Sequence, residues 1–121
     1  MTESLGEQFA HAVATRDDVA VLELLHPELD FRAMTPARIW EADQPKDVLD
    51  ILATWFGDRG TLEQVVQLEV DRFADRERVG YRLRFRGDDG VQLVEQQAYI
   101  TERDGKIGWL RIMCAGFRPI Q

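Results

Sequence analysis

The sequence predicts an α+β fold in which three N-terminal helices pack on a strongly curved antiparallel sheet. Two observations carry this expectation. Apolar residues recur with a helical period in three stretches as far as Gly57, whereas everything after Gly60 reads as long alternating runs. Those runs are joined only by "ADRE", "DDG" and "DG", links too short for anything but antiparallel neighbours.

The helices take their ends from capping chemistry. In "SLGEQFAHAVAT", Leu5, Phe9, Ala12 and Val13 share one stripe, and Ser4 with Glu7 has the spacing of a capping box. "RDD" breaks that pattern, and Asp17 or Asp18 can cap a second helix, "VAVLELL", which stops before Pro27. "ELDFRAMTPARIW" has no helical period and reads as a short strand followed by a loop. The third helix opens at Pro45 with Asp47 in its first turn. Val48, Ile51, Leu52 and Trp55 form its apolar stripe, and Gly57 ends it. Four strands follow: "TLEQVVQLEVDRF", "RVGYRLRFRG", "VQLVEQQAYIT" and "KIGWLRIMCAGF".

Composition bounds the function. A chain of 121 residues, 45% hydrophobic and 31% charged, is expected to form one globular domain over 1–121. A net charge of −7 argues against nucleic acid as a partner, because neutralising phosphates needs a basic surface. No apolar run is long enough for a membrane-spanning helix, and the first residues lack the pattern of a signal peptide. A single cysteine, Cys114, excludes an intramolecular disulfide and fits a cytoplasmic location. No His, Cys or Asp partners His11 at metal-ligand spacing, so neither metal nor cofactor is expected.

The turns then assign the sheet faces. If Asp88, Asp89 and Gly90 form a three-residue loop, Leu83 lies across from Glu95 and Tyr81 from Gln97. If Asp104-Gly105 is a two-residue turn, Tyr99 lies across from Leu110, Gln97 from Ile112 and Glu95 from Cys114. One face then carries Val79, Tyr81, Leu83, Phe85, Leu93, Glu95, Gln97, Tyr99, Leu110, Ile112 and Cys114. The other carries Arg82, Arg84 and Arg86 with Val94, Ala98, Ile100, Trp109, Arg111, Met113 and Phe117. The helices must cover the first, because a row of three arginines cannot be buried. Glu95, Gln97 and Tyr99 thereby become polar groups on an apolar inner face, the usual form of a small-molecule site.

Two helices, the segment "LLHPELDFRAMTP", the helix "PKDVLDILATWF" and a meander ending in "ERDGKIGWLRI" resemble the nuclear transport factor 2-like superfamily, most closely its SnoaL-like branch of small bacterial proteins. The resemblance spans nearly the whole chain. It implies a cone in which a curved sheet wraps the helices around a pocket, and a homodimer packed through the outer sheet face. Relatives include ketosteroid isomerase, polyketide cyclases, limonene epoxide hydrolase and binding proteins without known catalysis. The three acid-base positions of ketosteroid isomerase fall at Ala33, Phe9 and Gln97, so that mechanism is not expected here. The Asp-Arg-Asp set of limonene epoxide hydrolase is not found either.

Each candidate residue has a competing structural role. Glu95 is the candidate general acid or base, against a carboxylate tied to a tyrosine or water. Gln97 can orient a ligand carbonyl or bridge Tyr81 and Glu95, and Tyr99 and Tyr81 can donate to a ligand or simply pack. The expected pocket lining is Tyr81, Leu83, Phe85, Leu110, Ile112, Cys114, Trp55, Trp40, Phe9 and Ala33, with Trp40 at the rim. His26 reads as a satisfied imidazole at a helix end. Arg82 and Arg84 read as cross-strand partners of Glu69 and Asp71.

Two functions follow. One is acid-base catalysis of the isomerase, cyclase or dehydratase type on a small apolar metabolite; the other is a ligand-binding or accessory homodimer without turnover. In both, the dimer interface is expected to hold Val94, Ala98, Ile100, Trp109, Met113 and Phe117.

Overall fold

Ser4 and Asp17 open the first two helices. In the computed structural model, which describes residues 3–57 and 59–120, Ser4 Oγ accepts from the Glu7 amide at 3.2 Å at the head of α1, Leu5–Ala14. Asp17 Oδ1 accepts from the Ala20 amide at 3.1 Å at the head of α2, Asp18–Leu24. Each side chain satisfies an amide that the helix cannot. The third helix, α3, spans Pro45–Phe56 with Pro45 in its first turn and buries Val48, Ile51, Leu52, Trp55 and Phe56.

The helices are not three in succession. Between α2 and α3 the chain forms a β-hairpin, β1 (Leu25–Thr35) and β2 (Arg38–Ala42). The expected loop at "TPARIW" is therefore a tight turn and a second strand. Four more strands follow: β3 (Thr61–Phe73), β4 (Arg76–Gly87), β5 (Gly90–Arg103) and β6 (Lys106–Ile120). All six join one sheet in the order β2-β1-β6-β5-β4-β3. The sheet is mixed rather than wholly antiparallel, because β1 runs parallel to β6.

Register is where sequence and structure part. Asp88 and Asp89 alone close the β4–β5 turn, with Gly87 opposite Gly90, so Tyr81 faces Gln96 and Leu83 faces Val94. The Asp104-Gly105 turn forms as expected, both residues at positive φ (53° and 80°). Beyond it, the pairing steps from Glu102↔Ile107 to Thr101↔Trp109, leaving Gly108 as an extra residue in β6. A Cβ on Gly108 would lie 2.5 Å from the Arg103 Cβ, so a side chain does not fit there. Both departures shift β5 by one residue in the same sense. Because side chains alternate, the whole strand turns over.

Val94, Gln96, Ala98 and Ile100 are consequently inside, between 0% and 2% exposed. They pack with Val79, Tyr81, Leu83, Phe85, Leu110 and Ile112 against α1 and α3. A second irregularity, between Val94 and Gln96, lets β6 gain another residue near Gly116 (φ 94°), and this carries Phe117 inward as well. Phe117 meets Phe56 at 5.5 Å and Phe85 at 6.4 Å between ring centroids. The outward arginines of β4 are as expected, though their partners differ. Arg82 pairs with Glu95, Arg84 and Arg86 with Glu63, and Arg78 with Glu69 and Asp71.

Candidate functional site

Glu95, Gln97 and Tyr99 do not line an interior. All three sit half-exposed on the outer sheet face, and Glu95 is held there by Arg82. The one-residue shift of β5 is the whole reason, and an interior acid-base role for Glu95 goes with it. The amide that does face inward is Gln96, whose Oε1 accepts from the Tyr81 hydroxyl at 2.7 Å. Burial raises the pKa of that phenol, with the Cys114 thiol adding to the effect. Of the expected pocket lining, Tyr81, Leu83, Phe85, Leu110, Ile112, Phe9 and Ala33 are packed core, each at most 4% exposed. Aromatic rings fill the space where the sequence predicts a deep pocket.

The accessible space lies higher, at the open end of the sheet. A cavity of about 490 Å³ is bounded by the C-terminal half of α3, the β1–β2 turn and the end of β6. Trp40, Trp55 and Cys114, three of the expected lining residues, do lie on its wall, joined by Thr35, Phe117 and Arg59. Trp40 stands on strand β2, not in a loop, and meets Trp55 edge to face at 6.0 Å. Its indole donates to Thr35 Oγ1 at 2.9 Å, which fixes the ring at the rim. Helical spacing puts Thr54 and Trp55 at the mouth, one turn beyond the buried Ile51 and Leu52.

The charged side chains of this wall are arginines. The Trp55 Nε1–H is buried and meets no acceptor among the described residues. Arg59 donates through Nε to the Trp55 carbonyl at 3.2 Å and through one terminal nitrogen to Gln92 Oε1 at 3.1 Å. Its guanidinium carbon lies 3.9 Å from the Phe117 ring centre. No Asp, Glu or His lines the cavity among the described residues, so the chemistry on display is apolar contact and hydrogen-bond donation.

Sequence reasoning misses Arg59 and Phe117 here because one lies in the short link before β3 and the other behind a bulge. His26, expected at a helix end, is instead the second residue of β1, and it is satisfied there. Its Nδ1 accepts from the Glu28 amide at 2.9 Å, which leaves Nε2–H to donate to Asp104 at 3.2 Å. With both nitrogens engaged it has no free base. Among the described residues there is no cluster of three or more metal-ligating side chains.

Comparison with known proteins agrees on architecture. A candidate isomerase from Rhodopseudomonas palustris superposes with a TM-score of 0.72 at 18% identity, covering 94% of this chain and 91% of that one. A protein from Catenulispora acidiphila with a ketosteroid isomerase-like fold, solved with trimethylamine, gives 0.68 at 12% identity over 93% and 85%. An NTF2-like protein of unknown function from Cytophaga hutchinsonii gives 0.63 at 13% over 94% and 99%. The chain has the nuclear transport factor 2-like fold. At these identities the likeness is one of fold alone. No family model and no curated protein matches the sequence. Within this fold the six-stranded sheet is open, and the cavity sits at its open end. Among the described residues, no helix is long and apolar enough to cross a membrane.

Proposed function

We propose that this nuclear transport factor 2-like chain binds a small, largely apolar molecule in the cavity between α3, the β1–β2 turn and the end of β6. The observation that carries the reading is the aromatic wall of Trp40, Trp55 and Phe117 around an accessible cavity that also holds a few polar side chains. The volume of about 490 Å³ lies within the range of ordinary ligand sites.

Binding without turnover is the better-supported of the two functions. General acid-base catalysis needs a titratable group within hydrogen-bond reach of the ligand. The cavity wall offers only the Cys114 thiol and arginines among the described residues. The wider placement goes with this proposal: a SnoaL-like, cytoplasmic bacterial protein that works as a homodimer through its outer sheet face. That interface must be redrawn, because Val94, Ala98, Ile100 and Phe117 point inward. What remains outside is Met113 with Met34 and Ile39, exposed by 56%, 49% and 64% on three adjacent strands. Trp109 is also outside, but the guanidinium groups of Arg76 and Arg111 lie over its ring at 4.0 and 4.4 Å.

The test is a ligand-observed NMR screen of bicyclic aromatic fragments against wild type and Thr54→Trp, which fills the mouth from an exposed helix position. Binding to wild type that Thr54→Trp abolishes, with unchanged circular dichroism, is the expected result. Fragments that bind both proteins alike would place the ligand elsewhere.

A further inference from the structure

Among the described residues, six arginines pair with carboxylates. On the outer sheet face Arg78, Arg82, Arg84 and Arg86 all pair with acids, and toward β1 Arg32 pairs with Glu41 and Arg111 with Asp30. The cavity wall holds arginine and no acid among the described residues. Arg59 and Arg118 line it and Arg38 lies over Trp40 at 3.7 Å, and none of the three meets a carboxylate among the described residues. In a chain of net charge −7, the charged side chains on this wall are thus all positive among the described residues.

We propose that the ligand is a flat organic carboxylate whose apolar body rests against Trp40, Trp55 and Phe117 while its anionic end meets Arg59 and Arg118. This rests on the reading that the cavity is the ligand site. Arg59 is preorganised to receive an anion, since its bonds to the Trp55 carbonyl and Gln92 hold the guanidinium plane and, among the described residues, leave its other terminal nitrogen without an acceptor. The stacked ring of Phe117 shields one face, so the charge is directed to the fork's edge. A cationic ligand would meet these arginines with no acid on the described wall to offset them.

The experiment uses a matched pair of probes: naphthalene carboxylate and its uncharged carboxamide, titrated by calorimetry into the full chain. Cys114, the sole cysteine and a wall residue, reports occupancy through its rate of thiol labelling. The carboxylate is expected to bind at least about tenfold more tightly than the amide and to slow labelling. That advantage should shrink in high salt. It should also shrink in Arg59→Gln and, independently, in Arg118→Gln, an exposed position where the fold is not at stake. Amide affinity should change little in either variant. Equal binding of the two probes would overturn the carboxylate inference and leave the cavity reading standing. A preference that survives both substitutions would overturn the assignment to these arginines. If neither probe binds wild type or protects Cys114, the cavity reading falls and this inference with it.

Discussion

The hydroxyl of Tyr81 donates a 2.7 Å hydrogen bond to Gln96 Oε1 across adjacent strands, and both residues are 1% exposed. This pair marks the register of the β4–β5 ladder, since Tyr81 and Gln96 face each other directly. Gln96 Nε2 finds no acceptor among the described residues, so the carbonyl bond is the amide's one recompense for burial. Tyr81→Phe should therefore cost about 1–3 kcal/mol in urea unfolding, by orphaning the acceptor as well. Adding Gln96→Leu to it should cost much less than the sum of the two single changes. Strictly additive losses would show that the bond does not couple these residues.

Alkaline pH probes the same residue from the other side. Burial holds the folded pKa of Tyr81 above the ordinary phenol value of about 10. The unfolded chain then releases this proton first, so the contribution is full below pH ~10 and is lost as pH rises further. Tyr81 should give no tyrosinate absorbance until the protein unfolds. Tyrosinate signal from Tyr81 in a still-folded protein near pH ~10 would contradict its burial.

The acidic limb belongs to the outer face. Hydrogen bonding to Arg86 lowers the pKa of Glu63, with Arg84 assisting, and hydrogen bonding to Arg78 lowers that of Asp71. A depressed carboxylate stabilises above its unfolded pKa of about 4 and loses that contribution as pH falls through the folded value. Both groups lie on the solvent-facing side of the sheet, so the effect is small and screened by salt. Amide exchange in β3 should quicken below pH ~4 before that of β5 does, and more so at low ionic strength where the pairing matters most. Simultaneous loss of protection across the sheet would mean that these pairs do not hold the edge strand.

How much of this is legible in the sequence depends on the scale of the feature. Ser4, Asp17, Pro45 and Gly57 mark helix ends by local chemistry, and all of them do so in the structure. The four late strands are visible because alternation persists over a dozen residues. Strand parity is another matter, because a single residue decides it. "DDG" suits either a two- or a three-residue turn, and Gly108 announces a bulge only once something is known to crowd it. The two slips fall in the same sense. The inner residues of β4 and of β6 as far as Cys114 therefore come out correctly while β5 is reversed and Phe117 turns inward beyond the second bulge, and nothing internal to the pattern exposes the error. The cavity depends on tertiary detail of this kind, through Phe117 and Arg59.

Gly6 and Glu77 test how α1 is docked. Glu77 is 5% exposed and its Oε1 accepts from the Gly6 amide at 2.9 Å, near the positive end of the helix. A Cβ on Gly6 would come within 2.7 Å of Glu77 Oε2. Gly6→Ala, ordinarily favourable in a helix, should here destabilise by about 1–3 kcal/mol because it displaces a buried carboxylate from its donor. A thermal unfolding midpoint equal to or above that of wild type would show that α1 can shift without cost.

The outer face carries the last prediction. Met34 lies beside both Ile39 and Met113 in the ladder, so three exposed apolar side chains form a row across β2, β1 and β6. They border a groove of about 350 Å³ in which Arg32 and Arg111 stand near Glu41. Because the rim holds both signs of charge, a copy related by a two-fold axis can bring arginine to glutamate while the two methionine rows meet. Methionine adapts its shape to such a contact. Met113→Glu places a carboxylate in the row and, across the axis, against its own equivalent. Light scattering at micromolar concentration should give a dimer mass for wild type and a monomer mass for this variant, with the helical signal unchanged. Trp109→Glu should weaken association less, because Arg76 and Arg111 already lie over that ring. A dimer that tolerates Met113→Glu but is dissociated by Trp109→Glu would move the interface toward β5 and away from the methionine row.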